Sequence, residues 1–212
     1  MAYPPKPHQE HDHDAIISLL RARPFAHLFT TRDNHHHATR LPFILDVEDG
    51  SCRRLRAHMN AQNPQAEQLD GAHVLVAFSG PDTYVSPNWR LEANRGPTWD
   101  YTAASVWGRA VLRPEREFFE TLITDLATAA EAQYSGVSDK PNWTLSDVSK
   151  DYVDRLFPNL VSFEIEIDHI EGVSKLHRDF PAEDALSVAA HLEKSDHADS
   201  HAVASQIKNA VK

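Results

Sequence analysis

A chain of 212 residues, 41% hydrophobic and 25% charged, with seven glycines, thirteen prolines and no long apolar run, has room for one full domain with a tail or two small ones and excludes a bilayer-spanning helix. Cys52 is the only cysteine, which excludes an intrachain disulfide and a cysteine-built zinc or iron–sulfur cage and makes a reducing cytoplasm the expected location. Twenty-one cations against 31 acids give a charge of −10, which argues against direct nucleic-acid binding; fourteen protonated histidines would turn that into +4, so the charge is unusually pH-sensitive below about pH 6.5.

The N-terminus, from Met1 to His8, lacks the basic-then-apolar layout of a signal peptide. Ile16, Ile17, Leu19 and Leu20 place one apolar face on a short helix over 14–21, stopped before Pro24. The period then changes to two. Residues 25–31, 38–46, 52–59, 72–79 and 98–112 read as strands separated by Asp-Asn, Asp-Gly, Asn-Pro and Gly-Pro turn signals, and strands at that spacing predict an antiparallel barrel or sandwich. Pro114, Glu115 and Glu117 mark a helix start, and Phe118, Phe119, Leu122, Ile123, Leu126 and Ala130 carry its apolar face to about Tyr134. The Thr144-x-x-Asp147 capping pattern opens a further helix expected to end before Pro158. Val161, Phe163, Ile165 and Ile167 alternate with polar residues as a last strand with one buried face. From about Pro181 the chain is a helical tail rich in alanine, aspartate and histidine, expected to fray after Ser195.

Four stretches hold more polar and aromatic residues than strands need: 35–42, 58–64, 84–89 and 97–101. Alternation turns His37, Thr39 and Leu41 one way and Ala38, Arg40 and Pro42 the other. A flat aromatic cofactor is held on such a surface by backbone groups, a few hydroxyls and amides, and stacking on indole or phenol rings. His35, His36 and His37 are consecutive on a strand and cannot all ligate one ion, so no metal site is assigned. His8, His11 and His13, among acids, read as a solvated helix entrance before a metal-scavenging one. Trp89, Trp99 and Trp107 are stacking platforms or core filling. Cys52 stands beside Arg53 and Arg54, which would activate an exposed thiol, but a half-buried strand position is the commoner case.

In this order and spacing the chain resembles the PaiB family of FMN-binding split-barrel proteins, also described as negative transcriptional regulators. The resemblance rests on Pro24-Phe25-Ala26, His37-Ala38-Thr39 with Leu41-Pro42, His58 with Asn63-Pro64-Gln65, and Phe78-x-Gly80-Pro81. It continues with Tyr84-Val85-Ser86-Pro87 and Trp89, Pro97-Thr98-Trp99 with Tyr101 and Gly108, Asp151-Tyr152-Val153, and Phe163 to Ile167 followed by Ile170-Glu171-Gly172. It implies a β-barrel with flanking helices, an antiparallel FMN-binding split barrel, over residues 1–176, with 177–212 as a helical, partly flexible tail. It further implies a homodimer, with FMN held by the second and third strands of one chain and the aromatic loops of the other. The implied cofactor-binding residues are His37, Thr39, Arg40, Leu41, His58, Asn63, Tyr84, Ser86, Trp89, Trp99 and Tyr101.

The departures from the pattern are equally specific. Ala61 stands where the family usually has arginine, and Arg90 and Ala93 where it has tyrosine and lysine. Asp100 replaces asparagine, Ser105 a histidine, and Lys175-Leu176-His177-Arg178-Asp179 a Lys-Leu-Ser-Gln-Asn signature. Loss of two cations removes charge-assisted donors to a flavin phosphate, for which Arg40, Arg90 and Arg95 are the nearby substitutes. The alternatives are a cofactor-free regulatory or protein-binding barrel that has lost FMN, or, third, a haem- or metal-handling split barrel. No Ser-His-Asp or Cys-His context and no glycine-rich phosphate loop is present, so any redox chemistry would belong to the flavin.

Overall fold

The two-residue alternation folds as strands β1 (Gln9–Glu10), β2 (Phe25–Arg32), β3 (His35–Pro42), β4 (Ile44–Glu48), β5 (Ser51–Asn60), β6 (His73–Val85), β7 (Thr98–Leu112) and β8 (Leu160–Lys175). The helices are α1 (His13–Ala22), α2 (Arg116–Gln133), α3 (Lys150–Leu156), α4 (Ala182–Leu192) and α5 (Ala198–Ala210). This computed structural model describes residues 4–92 and 94–211. All eight strands join one sheet in the order β3-β2-β6-β7-β8-β5-β4, with β1 paired to β8. The two tight hairpins follow from their turn residues. Asp33 and Asn34, at φ 50° and 61°, and Asp49 and Gly50, at φ 51° and 72°, adopt the left-handed conformation that two-residue hairpin turns require.

The sheet departs from the expected strands in one informative place. The single strand expected over 38–46 is two, because the chain changes partners at Phe43: β3 pairs with β2, and β4 pairs with β5. Phe43 donates its backbone N–H to Pro24 O at 2.9 Å and buries its ring 5.9 Å from that of Phe78. The last strand is also longer than expected, and Ser162 and Glu164 are buried along with Phe163 and Ile165. Glu164 tolerates this because its carboxylate accepts a hydrogen bond from Arg113 Nη1 at 2.9 Å.

The capping box at Thr144 and Asp147 forms, yet it closes only a single 3-10 turn over Leu145–Asp147. The helix proper starts at Lys150, where the Ser149 side chain accepts from Tyr152 N. In α2 the buried residues are Phe119 and Leu122, whereas Phe118 and Leu126 are half-buried. The Arg113 guanidinium covers the Phe118 ring at 4.7 Å, and Phe119 packs 5.3 Å from Phe157.

Two compact units result. One comprises Met1–Leu19, Ser79–Ser105 and Glu171–Lys212, the other Leu20–Phe78 and Val106–Ile170. The second is centred on sheet residues such as Leu28, Leu55, Val76, Val106, Phe163 and Ile165, all fully buried. In it Gly108 is obligatory, because a Cβ there would lie 2.1 Å from the Glu166 carbonyl oxygen. The first unit has its own core, in which Val85 and Leu176 meet Ala185, Val188, Ala189 and Leu192 of α4 and Val203, Ala204 and Ile207 of α5. The fraying expected after Ser195 is therefore corrected: α5 buries positions 200, 203, 204 and 207, a one-sided helical stripe. Ser200, Val203, Ala204 and Ile207 sit among polar neighbours, a stripe too weakly apolar to announce a core on its own. Small side chains let two helices pack closely, and Ser200 Oγ bonds Thr83 Oγ1 at 2.8 Å. Among the described residues no helix is long and apolar enough to cross a membrane.

Candidate functional site

Within the second unit, β3 presents His37, Thr39 and Leu41 inward and His36, Ala38 and Arg40 to solvent, as the alternation requires. The loop after β5 is tied onto that inward face. Asn63 Nδ2 donates to Thr39 Oγ1 at 2.9 Å, and Asn63 Oδ1 accepts from Gln65 N at 3.0 Å. Gln65, fully buried, donates from Nε2 to Leu28 O at 3.1 Å, and Gln68 Nε2 lies 3.1 Å from His37 Nε2. His37, Thr39 and Asn63 are thus brought together by two glutamines. Gln65 belongs to the quoted Asn63-Pro64-Gln65 motif, whereas no signal singles out Gln68. Leu41 is buried in the core, and Arg40 is exposed, its guanidinium 4.6 Å over the Phe25 ring.

His58, on β5, is half-buried, and its Nδ1 has no hydrogen-bond partner among the described residues. Burial lowers its pKa below the ordinary imidazole value, so the ring is held neutral at neutral pH. Cys52 is half-buried and its thiol is pushed up by burial, against the opposing field of Arg21. The flanking Arg54 is occupied by Asp46 and Glu48 and does not activate it. Among the described residues no three His, Cys, Asp or Glu side chains are grouped to hold a metal ion.

Within the first unit, Tyr84, Trp89 and Trp99 form an edge-to-face series, with Tyr84 6.1 Å from Trp89 and 6.3 Å from Trp99. Ser86 accepts from Asn88 N at 3.2 Å and caps the short turn that carries Trp89. Trp89 is the least free of the three: His191 of α4 stacks on it, and Ser187 Oγ donates to its carbonyl at 2.9 Å. Tyr84 and Trp99, 42% and 54% exposed, keep open ring surface. Tyr101 is half-buried on β7. Ala93, where the family lysine is expected, lies outside the described residues.

A family profile described as "Putative FMN-binding domain" matches residues 2–169. The chain belongs to this family. The Bacillus subtilis "Protease synthase and sporulation protein PAI 2" is 26% identical over 99% of this chain and 98% of its own length. An uncharacterized protein of Emericella nidulans, AN0679, is 29% identical over 88% of each chain. Among solved structures, the FAD and heme binding protein of Mycobacterium smegmatis superposes with a TM-score of 0.55 at 17% identity, covering 86% of this chain and 79% of that one. The antiparallel sheet with its five helices is the split-barrel fold of this FMN-binding family.

The residues present fit a flavin's ring and side chain better than its phosphate. Exposed Tyr84 and Trp99 faces suit a flat ring, and the Thr39 and Asn63 pair and the orphaned His58 nitrogen suit hydroxyls and ring edges. Ala61 supplies no cation. Arg40 does, and among the described residues it has no acidic partner. A cavity of about 630 Å³ lies elsewhere in the second unit and is lined by Arg54, Arg56, Arg113, Asp46 and Glu164. Its cations are matched by its own acids, notably Arg56 with Asp46 and Arg113 with Glu164, which makes it a structural ion-pair network.

Proposed function

We propose that this member of the FMN-binding family is a cytoplasmic flavin-binding homodimer. Flavin is held by His37, Thr39, His58 and Asn63 of one chain and by the aromatic loops of a second copy, while Arg40, on the opposite face of β3, is left to Phe25. The observation that supports the reading is the Asn63–Thr39 bond with its buried Gln65 anchor, which holds in place two residues that the family resemblance implies face the ligand. A bound flavin supplies hydride or electron transfer. This chain's residues position it: Thr39 and Asn63 orient polar groups, neutral His58 accepts or donates a hydrogen bond without adding charge, and Tyr84 and Trp99 offer stacking surface. A charge of −10 directs any regulatory role toward proteins or metabolites instead of operator DNA.

The second reading, a cofactor-free regulator, is favoured by Ala61, exposed at the position of the family arginine. The visible spectrum of purified protein separates the readings. Flavin bands near about 370 and 450 nm support the first, a colourless protein that takes up no added FMN the second, and a Soret band would overturn both. Light scattering tests the assembly, and a folded species of 23.9 kDa would refute a pocket shared between copies.

A further inference from the structure

Two of the departures from the family pattern, Asp100 and His177, lie 77 positions apart and meet in the first unit. His177 Nδ1 hydrogen-bonds Asp100 Oδ2, and both side chains are about 1% exposed. Each is left with one unused polar atom, since Asp100 Oδ1 and His177 Nε2 are buried and have no partner among the described residues. Such groups are costly unless something bonds to them. His177 is also held at φ 56°, a left-handed conformation uncommon for a residue with a side chain and concentrated at functional sites.

Both residues line a cavity of about 270 Å³, room for about nine waters at roughly 30 Å³ each and too small for a whole flavin. Its other walls carry cations. Arg90 stacks 4.5 Å over the Phe180 ring, and its Nε is buried without a partner. Lys175 Nζ donates to Thr98 Oγ1 and to Trp99 O, both neutral, leaving one N–H unused. Neither cation has an acidic partner among the described residues. Arg95, by contrast, is neutralised by Glu92 at 2.9 Å, and Asp179 is exposed at the rim.

We propose that this cavity binds a small carboxylate bearing a neighbouring hydroxyl or amine, with Arg90 and Lys175 taking the carboxylate and Asp100 and His177 taking the neighbouring group. An anion alone answers the two cations but leaves Asp100 Oδ1 unbonded and repelled. A ligand donor beside the anion satisfies both. The inference does not rest on the flavin reading: of the residues proposed there it uses only the backbone carbonyl of Trp99, as an acceptor for Lys175, and not its ring.

Calorimetric titration of the flavin-free full chain with lactate, malate and serine, alongside propionate and inorganic phosphate, tests it. Hydroxy or amino acids should bind saturably and about tenfold or more tighter than propionate, as one hydrogen bond to a charged group allows. Arg90→Met should weaken all carboxylates about tenfold, and Asp100→Asn should erase the advantage over propionate. The comparison of lactate with propionate needs no variant, so it holds even if Asp100→Asn misfolds. Failure of every hydroxy or amino acid to bind, propionate binding equally well, phosphate binding tightest, or a folded Arg90→Met protein binding like wild type would each overturn the proposal. A protein that binds malate but no FMN would sink the flavin reading and leave this one standing.

Discussion

Replacing Arg56 by methionine removes the cation at the centre of the ion-pair network while keeping most of the side chain's length. Arg56 reaches Asp46 through Nε and Nη2 at 2.9 and 2.8 Å and Asp125 through Nη2 at 2.7 Å. Its side chain is 13% exposed, against 20% for Asp46 and 40% for Asp125. Breaking a fully buried pair costs about 3–5 kcal/mol and an exposed one about 0–1 kcal/mol. Asp46 stands near the first case, moderated because Arg54 remains 3.4 Å away, and Asp125 near the second because water reaches it. The sum is a loss of about 2–3 kcal/mol. At about 2–4 °C per kcal/mol for a chain of this size, melting should fall by roughly 4–12 °C. Urea unfolding followed by circular dichroism gives the free energy, and Arg56→Lys, which keeps charge but not the two-pronged geometry, should lose about half as much. If Arg56→Met unfolds within about 0.5 kcal/mol of wild type, the network carries no net stability and the accounting from burial is wrong.

Three further outcomes are expected. Leu122→Asp, which sets a carboxylate into the fully buried face of α2, should cost several kcal/mol, and a wild-type melting curve would show that the helix does not pack as described. Because burial lowers the His58 pKa in the fold, the unfolded chain takes up that proton first. Stability should be complete above the ordinary imidazole value, about 6.5, and decline as pH falls below it, a slope that His58→Gln should flatten in urea melts across that range. Ala61 is exposed, so Ala61→Arg should leave the fold intact and tighten FMN about ten- to a hundredfold by flavin fluorescence quenching. Nanomolar binding by wild type, unchanged in the variant, would mean that another cation already holds the phosphate.

The elements with strong local signals are legible in the sequence. The Asp-Asn and Asp-Gly hairpins, the strand over 98–112 and the Pro114 helix start all follow from residue chemistry that acts within a few positions. The division at Phe43 is not legible, because strand alternation continues through it and only the choice of partner strand changes. Nor is the packing of α5, whose short stripe of Ser200, Val203, Ala204 and Ile207 matters only because α4 and β6 are there to receive it. At the site, the alternation separates His37 and Thr39 from Arg40, but the role of Gln68 depends on a loop folding back over β3.

The same distinction bears on the departures from the family pattern. Taken singly along the sequence, Asp for Asn at 100 and His for Ser at 177 are two unrelated losses of a neutral polar group, and each alone would bury a poorly matched side chain. Brought into contact they become one hydrogen-bonded pair, each member supplying what the other needs. Arg90 fits the same logic: it replaces a tyrosine, yet its guanidinium finds an aromatic face in Phe180 and lines the same cavity. For Ala61 the bond seen among the described residues is the backbone one from its N–H to Asn159 O, which replaces no cation. Compensated departures point to a site that has been reshaped, and an uncompensated one to a contact that has been given up. On the flavin reading proposed above, position 61 is of the second kind and the Asp100–His177 cavity of the first, so affinity for FMN and affinity for a small carboxylate should respond to different substitutions.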